Sequence, residues 1–184
     1  FSFRTVNLKI GKQNEPEYLA INRWGVVPSL RHRGLTILQS NVILDYLART
    51  TGKFEAATEQ DRIHAREWLS WENDAITNVA RVRHFARFRP DVPQQIVDYF
   101  RPGAEAALDF VDKALEGRQW LVGDHCTIAD LGCFGRMVFM AEGGMNLDKR
   151  PNAAAWRERI MAMPGFALPY DLIPKKDTEF GAPS

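Results

Sequence analysis

Residues 20–47, AINRWGVVPSLRHRGLTILQSNVILDYL, decide the fold. Val26-Val27 runs into Pro28 and then Leu30. Proline cannot donate a ladder hydrogen bond, so Pro28 is expected at a turn or at a strand's first residue. Asn22 and Gly25 read as a helix-ending turn upstream. A second apolar run, Leu35-Thr36-Ile37-Leu38, follows the polar turn Arg31-His32-Arg33-Gly34, which makes a hairpin. Val42, Ile43, Tyr46 and Leu47 then fall at helical spacing, with Ser40 as the expected N-cap. The start of that helix offers free backbone N–H groups and the positive end of its dipole, an anion site flanked by the Gln39 amide and the Ser40 hydroxyl. An ordinary hairpin and a capped helix would show the same spacing.

Pro16, Glu17, Tyr18, Leu19, Asn22, Gly25, Val27, Pro28 and Leu30, followed by Gln39, Ser40, Ile43, Tyr46 and Leu47, settle between these readings. Together they resemble the second half of the thioredoxin-like domain of glutathione transferases. The one clear departure is Arg23, where proline is usual. The resemblance implies a cis Val27–Pro28 bond and a Val27 backbone paired with the cysteinyl part of glutathione. It also implies that Gln39 and Ser40 hold the γ-glutamyl carboxylate, and that Lys12 or Gln13 meets the glycyl carboxylate. For Lys12 and Gln13 a solvated loop is the competing reading. In such a domain a first strand and helix are expected before Phe1, carrying a Ser, Tyr, Thr or Cys that activates the thiol. The catalytic residue is therefore expected outside the given sequence.

The rest of the chain fits two domains. Residues 3–8 read as a strand on β-branched content, and Pro16 opens a short helix to about residue 21. Periodicity is lost after Arg49, around Gly52, which places the expected boundary between a thioredoxin-like α/β domain at 1–51 and an all-α helical bundle at 58–184. Apolar stripes predict helices over 61–88, ended by Pro90 and Pro93, and over 93–115. Thr127 and Asp130 form a capping box for a helix to about residue 141, a structural box in the family's helical domain as well. A last helix starts near Pro151, and the tail from Phe166, with Pro169, Pro174 and Pro183, reads as extended.

Composition excludes several classes. Net charge is +1 over 184 residues, so no global field favours nucleic acid or a membrane surface. Cys126 and Cys133 make no disulfide framework, which points to a reducing cytoplasm. His32, His64, His84 and His125 lie far apart, so no metal site is expected. Arg81, Arg83, Arg87, Arg89 and Arg101 read either as a solvated, ion-paired face or as the border of an anion-attracting cleft. Trp71 has core packing and a second substrate pocket as equal alternatives. The resemblance implies a transferase that joins the glutathione thiol to a small electrophile, acting as a homodimer that buries Trp68 and Trp71. A glutathione-binding or structural protein without turnover, and a glutathione-dependent disulfide reductase, stand as alternatives.

Overall fold

The computed structural model describes residues 1–172. It divides into two compact units, one of Phe1–Tyr46 with the described residues from Pro164 on, the other Leu47–Met163.

The first unit is built round a two-stranded antiparallel hairpin, β1 (Ser29–His32) and β2 (Leu35–Leu38), in the register Ser29↔Leu38 to His32↔Leu35. Only Arg33 and Gly34 connect the strands, with φ of 49° and 78°. Positive φ at both central residues is what a two-residue turn of type I′ needs, and its twist matches that of the flanking strands. Arg31 and His32, expected in the turn, therefore belong to the ladder, while Val26 and Val27 lie before it. Ahead of the hairpin comes α1 (Pro16–Leu19), with proline at its start, and after it α2 (Ser40–Thr51). α8 (Pro169–Leu172) shows that part of the tail expected to be extended is a helical turn opened by proline. Pro174 and Pro183 lie outside the described residues.

The strand expected over 3–8 is absent. Only Thr5 makes a bridge, and Asn7 turns its side chain to accept from Lys9 N and cap a 3-10 turn at Leu8–Ile10. Without a clean two-faced pattern the segment has no face to bury, and a capping Asn pulls the backbone into a turn.

The second unit is helical: α3 (Glu59–Trp71), α4 (Thr77–Phe88), α5 (Gln94–Ala114), α6 (Ile128–Met137) and α7 (Pro151–Met161). Its fully buried centre takes Ile76, Val79 and Val82 from the α4 side, Leu108 and Val111 from α5, Cys133 and Met137 from α6, and Trp156 from α7. The single helix expected over 61–88 is interrupted by a π turn at Glu72–Ile76. That wider turn inserts a residue and rotates the apolar stripe, and it carries Glu72, buried and ion-paired with Arg136. α6 opens on the expected capping box: Thr127 Oγ1 accepts from Ala129 N, and Thr127 N donates to Asp130 Oδ2 at 2.8 Å. It stops at Met137, short of residue 141, and a 3-10 turn, Met140–Gly143, follows. Gly143 is there for contact: a Cβ on it would lie 3.0 Å from both Arg83 N and Arg83 Cα.

By contacts the units part between Tyr46 and Leu47, inside α2. Phe54 O already accepts from Ile128 N, and Glu55 O pairs with His125 Nε2.

Candidate functional site

The loop from Asn22 to Pro28 is folded around one side chain. Asn22 has no solvent exposure; its amide donates to Val26 O at 2.5 Å and its oxygen accepts from Trp24 N at 3.1 Å. Tyr18 adds a second donor to Val26 O, at 2.9 Å. These bonds fasten the residue just before Val27. The Val27–Pro28 peptide is cis. Val27 is 43% exposed, and its backbone N–H and C=O take no hydrogen bond among the described residues. Sequence reasoning missed this use of Asn22, although a buried-type amide three residues before a glycine was its signal.

Ladder register brings the next pieces together. The ladder ends at Ser29↔Leu38, so Pro28 and Gln39 are the residues next to the same open end of the hairpin, with Val27 and Ser40 one step further along the chain. Gly25, at φ 60°, lets the 3-10 turn Lys12–Asn14 approach: a Cβ there would meet Asn14 Oδ1 at 3.0 Å and Gln13 O at 3.3 Å. Gln13 therefore sits beside the same loop, and its buried Oε1 has no hydrogen-bond partner. Lys12 is ion-paired with Glu15 at 2.9 Å, so part of its charge is spent locally.

Gln39, not the expected Ser40, stands at the N-cap of α2. Gln39 O accepts the first helical bond, from Ile43 N at 2.9 Å, which makes Gln39 the N-cap and Ser40 the first residue of α2. Gln39 does this at φ 70°, a region that costs a non-glycine residue about 1–3 kcal/mol. The helix begins one residue earlier than a Ser cap would give, so the Ser40 hydroxyl is not consumed in capping. It makes no hydrogen bond among the described residues.

This end of the hairpin has the parts needed to hold an extended, acidic peptide-like molecule. The start of α2, at the positive end of the helix dipole, and the Ser40 hydroxyl suit a carboxylate, Gln39 both donates and accepts, and the Val27 backbone can pair with another backbone. Glutathione, with a γ-glutamyl carboxylate and two amides, fits that set.

Other candidates go elsewhere. Arg83 is paired with Glu142, Arg89 with Asp91, and Arg101 donates to Gly143 O, so much of the basic run is spent on the helical unit's own contacts. Trp71 packs its ring 4.9 Å from Phe110 and 5.2 Å from Trp68, within an aromatic cluster. Burial pushes the Cys126 thiol up to about 12, helped by Asp130, and raises Cys133 well above its ordinary value, so neither supplies a thiolate. No group of three His, Cys, Asp or Glu side chains gathers among the described residues.

Comparison with known proteins matches both units. Residues 1–49 match the family model described as glutathione S-transferase, N-terminal domain, and residues 73–164 the C-terminal domain. Human glutathione S-transferase theta-2B is 30% identical over 175 residues, covering 90% of this chain and 72% of that protein. The Escherichia coli disulfide-bond oxidoreductase YfcG is 25% identical over 172 residues, 88% of this chain and 80% of its own. Among solved structures, a glutathione S-transferase from Xanthobacter autotrophicus superposes with a TM-score of 0.79 at 29% identity, covering 86% of this chain and 80% of that one. A small thioredoxin-like unit followed by a helical unit is the fold they share. The chain belongs to the glutathione S-transferase family.

Proposed function

We propose that this protein is a glutathione transferase that joins the glutathione thiol to a small electrophile, with Val27, Pro28, Gln39, Ser40, Gln13 and Lys12 as its grip on glutathione. The observation that carries the reading is the gathering of Val27, Pro28, Gln39 and Ser40 at one end of the hairpin, with the Val27 backbone and the Ser40 hydroxyl unbonded. In the reaction the thiol loses its proton to solvent, the sulfur forms a bond to an electrophilic carbon, and the leaving group departs with its bonding electrons. The residues of the grip bind and orient; fixing the sulfur against the electrophile replaces a bimolecular encounter by a positioned one. The orphaned Gln13 Oε1 suits a donor on the tripeptide, and the first turn of α2 a carboxylate.

The test is to incubate the protein with glutathione and an activated aryl halide and to follow the thioether by mass spectrometry. Enzyme-dependent conjugate, with KM for glutathione raised in Ser40→Ala, is the expected result. Calorimetric binding of glutathione with no conjugate from a panel of electrophiles would favour a binding or structural protein instead.

A disulfide reductase is the second reading, favoured by the likeness to the Escherichia coli oxidoreductase. The high pKa of Cys126 and Cys133 counts against these two thiols as its nucleophile. Glutathione-dependent reduction of a small mixed disulfide, faster than any conjugation, would select it. We further propose a homodimer that covers the Trp68–Trp71–Phe110 cluster, where Phe110 is half exposed. Light scattering should return twice 21.0 kDa; a monomer mass would refute it. No helix among the described residues is long and apolar enough to cross a membrane.

A further inference from the structure

Tyr18 and Asn22 stand four residues apart on the turn that ends α1, and Asn22 N donates to Tyr18 O at 2.8 Å, so their side chains leave on the same side. Both side chains are buried. They meet at one atom, Val26 O, which takes the Tyr18 hydroxyl at 2.9 Å and the Asn22 amide at 2.5 Å. A carbonyl oxygen has two acceptor sites, and both are filled here by side chains packed away from water.

This fixes more than Val26. The Val26–Val27 peptide is trans. In a trans peptide the C=O and the following N–H lie in one plane and point opposite ways. With its oxygen drawn inward to Tyr18 and Asn22, that plane turns the Val27 N–H away from them, toward the side on which Val27 is exposed. Asn22 secures the loop at two further points: its side-chain oxygen accepts from Trp24 N at 3.1 Å and its backbone oxygen from Gly25 N at 2.9 Å. The Tyr18 hydroxyl has a single proton, which Val26 O takes, so Ser29 Oγ, 3.4 Å away, meets it only as a donor across a long gap.

The geometry points to Tyr18 and Asn22 as positioning residues for glutathione: through Val26 O they aim the Val27 N–H at a backbone carbonyl of the tripeptide. The role rests on the reading of Val27 as part of the grip on glutathione. An amide held in its binding direction beforehand spares the ligand the cost of ordering it, so the clamp acts on affinity as well as on folding.

The test is Tyr18→Phe, which keeps the buried ring and removes only the hydroxyl, made in the full chain with its valine nitrogens isotopically labelled. Calorimetry should show the dissociation constant for glutathione raised about three- to tenfold, the net contribution of one hydrogen bond. NMR relaxation of the free protein should show a lower order parameter for the Val27 amide than in the parent, with Val97 and Val111 of α5 unchanged. A side chain that served packing alone would leave that amide as ordered as before. Ser29→Ala, which removes the long contact and leaves Val26 O clamped, should bind as the parent does. If the parent binds glutathione and Tyr18→Phe binds it equally well, or keeps the Val27 order parameter, the positioning role is overturned and the glutathione reading stands. A Ser29→Ala protein weakened as much as Tyr18→Phe would overturn the role too, since the bond to Val26 O would then not be what matters. A parent in which glutathione neither binds nor shifts the Val27 amide would sink the glutathione reading itself, and the role with it.

Discussion

Asp130 Oδ1 accepts from the indole N–H of Trp156 at 2.9 Å, and neither residue has any solvent exposure. The same carboxylate takes Leu121 N at 2.9 Å, and its second oxygen takes Thr127 N and Thr127 Oγ1. One side chain thus caps α6, closes the loop before it and fixes the ring at the centre of α7. Burial lifts its pKa above the usual carboxylate range, against the pull of these four donors. Asp130→Ala strands all four without acceptors, and a loss on the order of 3–5 kcal/mol is expected. Denaturant midpoints measure it, and a loss below about 1 kcal/mol would show that the box is replaceable.

Strain and binding should separate at the start of α2. Ser40→Ala should weaken glutathione by about 1–3 kcal/mol without changing stability, because the hydroxyl bonds nothing in the free protein. Gln39→Gly relaxes a residue held at φ 70° and should raise the unfolding free energy by about 1 kcal/mol while lowering affinity through the lost amide. Calorimetry and chemical unfolding on the same preparations decide it. A Gln39→Gly protein that gains stability and keeps full affinity would remove Gln39 from the site.

His125 should make stability depend on pH. Its Nδ1 lies 2.8 Å from Asp124 Oδ1 and its Nε2 2.9 Å from Glu55 O, and both partners hold the imidazolium form, with a smaller pull from Asp130. Its pKa is raised above the ordinary 6.5, so its contribution is full below that pH and is lost as pH rises through the folded value. Asp124 is lowered by His125, so its share is present above 3.8 and lost as pH falls. The stability difference between the parent and His125→Gln should therefore be largest near pH 5–6 and shrink toward pH 9. A difference that grows with pH would contradict the contact.

Gly143→Ala should destabilise by about 1–3 kcal/mol, since the new methyl would press on the backbone of Arg83, which cannot swing aside as a side chain would. Val82 Cγ1 would stand 3.2 Å away as well. A lower denaturant midpoint at unchanged slope is the expected signature. An unchanged midpoint would show that the 3-10 turn can slide along α4.

What was legible in the sequence was local. The hairpin followed from Pro28, Gly34 and two short apolar runs, and α5 and α7 from stripes ended by glycine and proline, because those signals act within a few residues. The strand at 3–8 failed because strands need partners, and the competing Asn7 cap is a single-residue effect weaker than the β-branched signal around it. The π turn was invisible: the buried Glu72 that it carries pairs with Arg136, 64 residues further on, a contact that local spacing does not show. Helix limits were off by a few residues wherever a tertiary contact, as at Gly143, decided the end. At the site, residue identities were readable through the resemblance, but the order of capping was not, since Gln39 rather than Ser40 closes the helix.

The two-residue turn at Arg33 and Gly34 also determines which parts of the chain can vary in length. Every rung of a four-rung ladder is counted from that turn, and one added residue would trade the inner side chains of β2 for its outer ones. It would also carry Gln39 and Ser40 one step past Pro28 and Val27. Insertions in the stretch after Gly52 leave that count untouched. Among natural variants of this protein, the distance from Pro28 to Ser40 should be the same in every copy that still binds glutathione, however freely other loops grow or shrink.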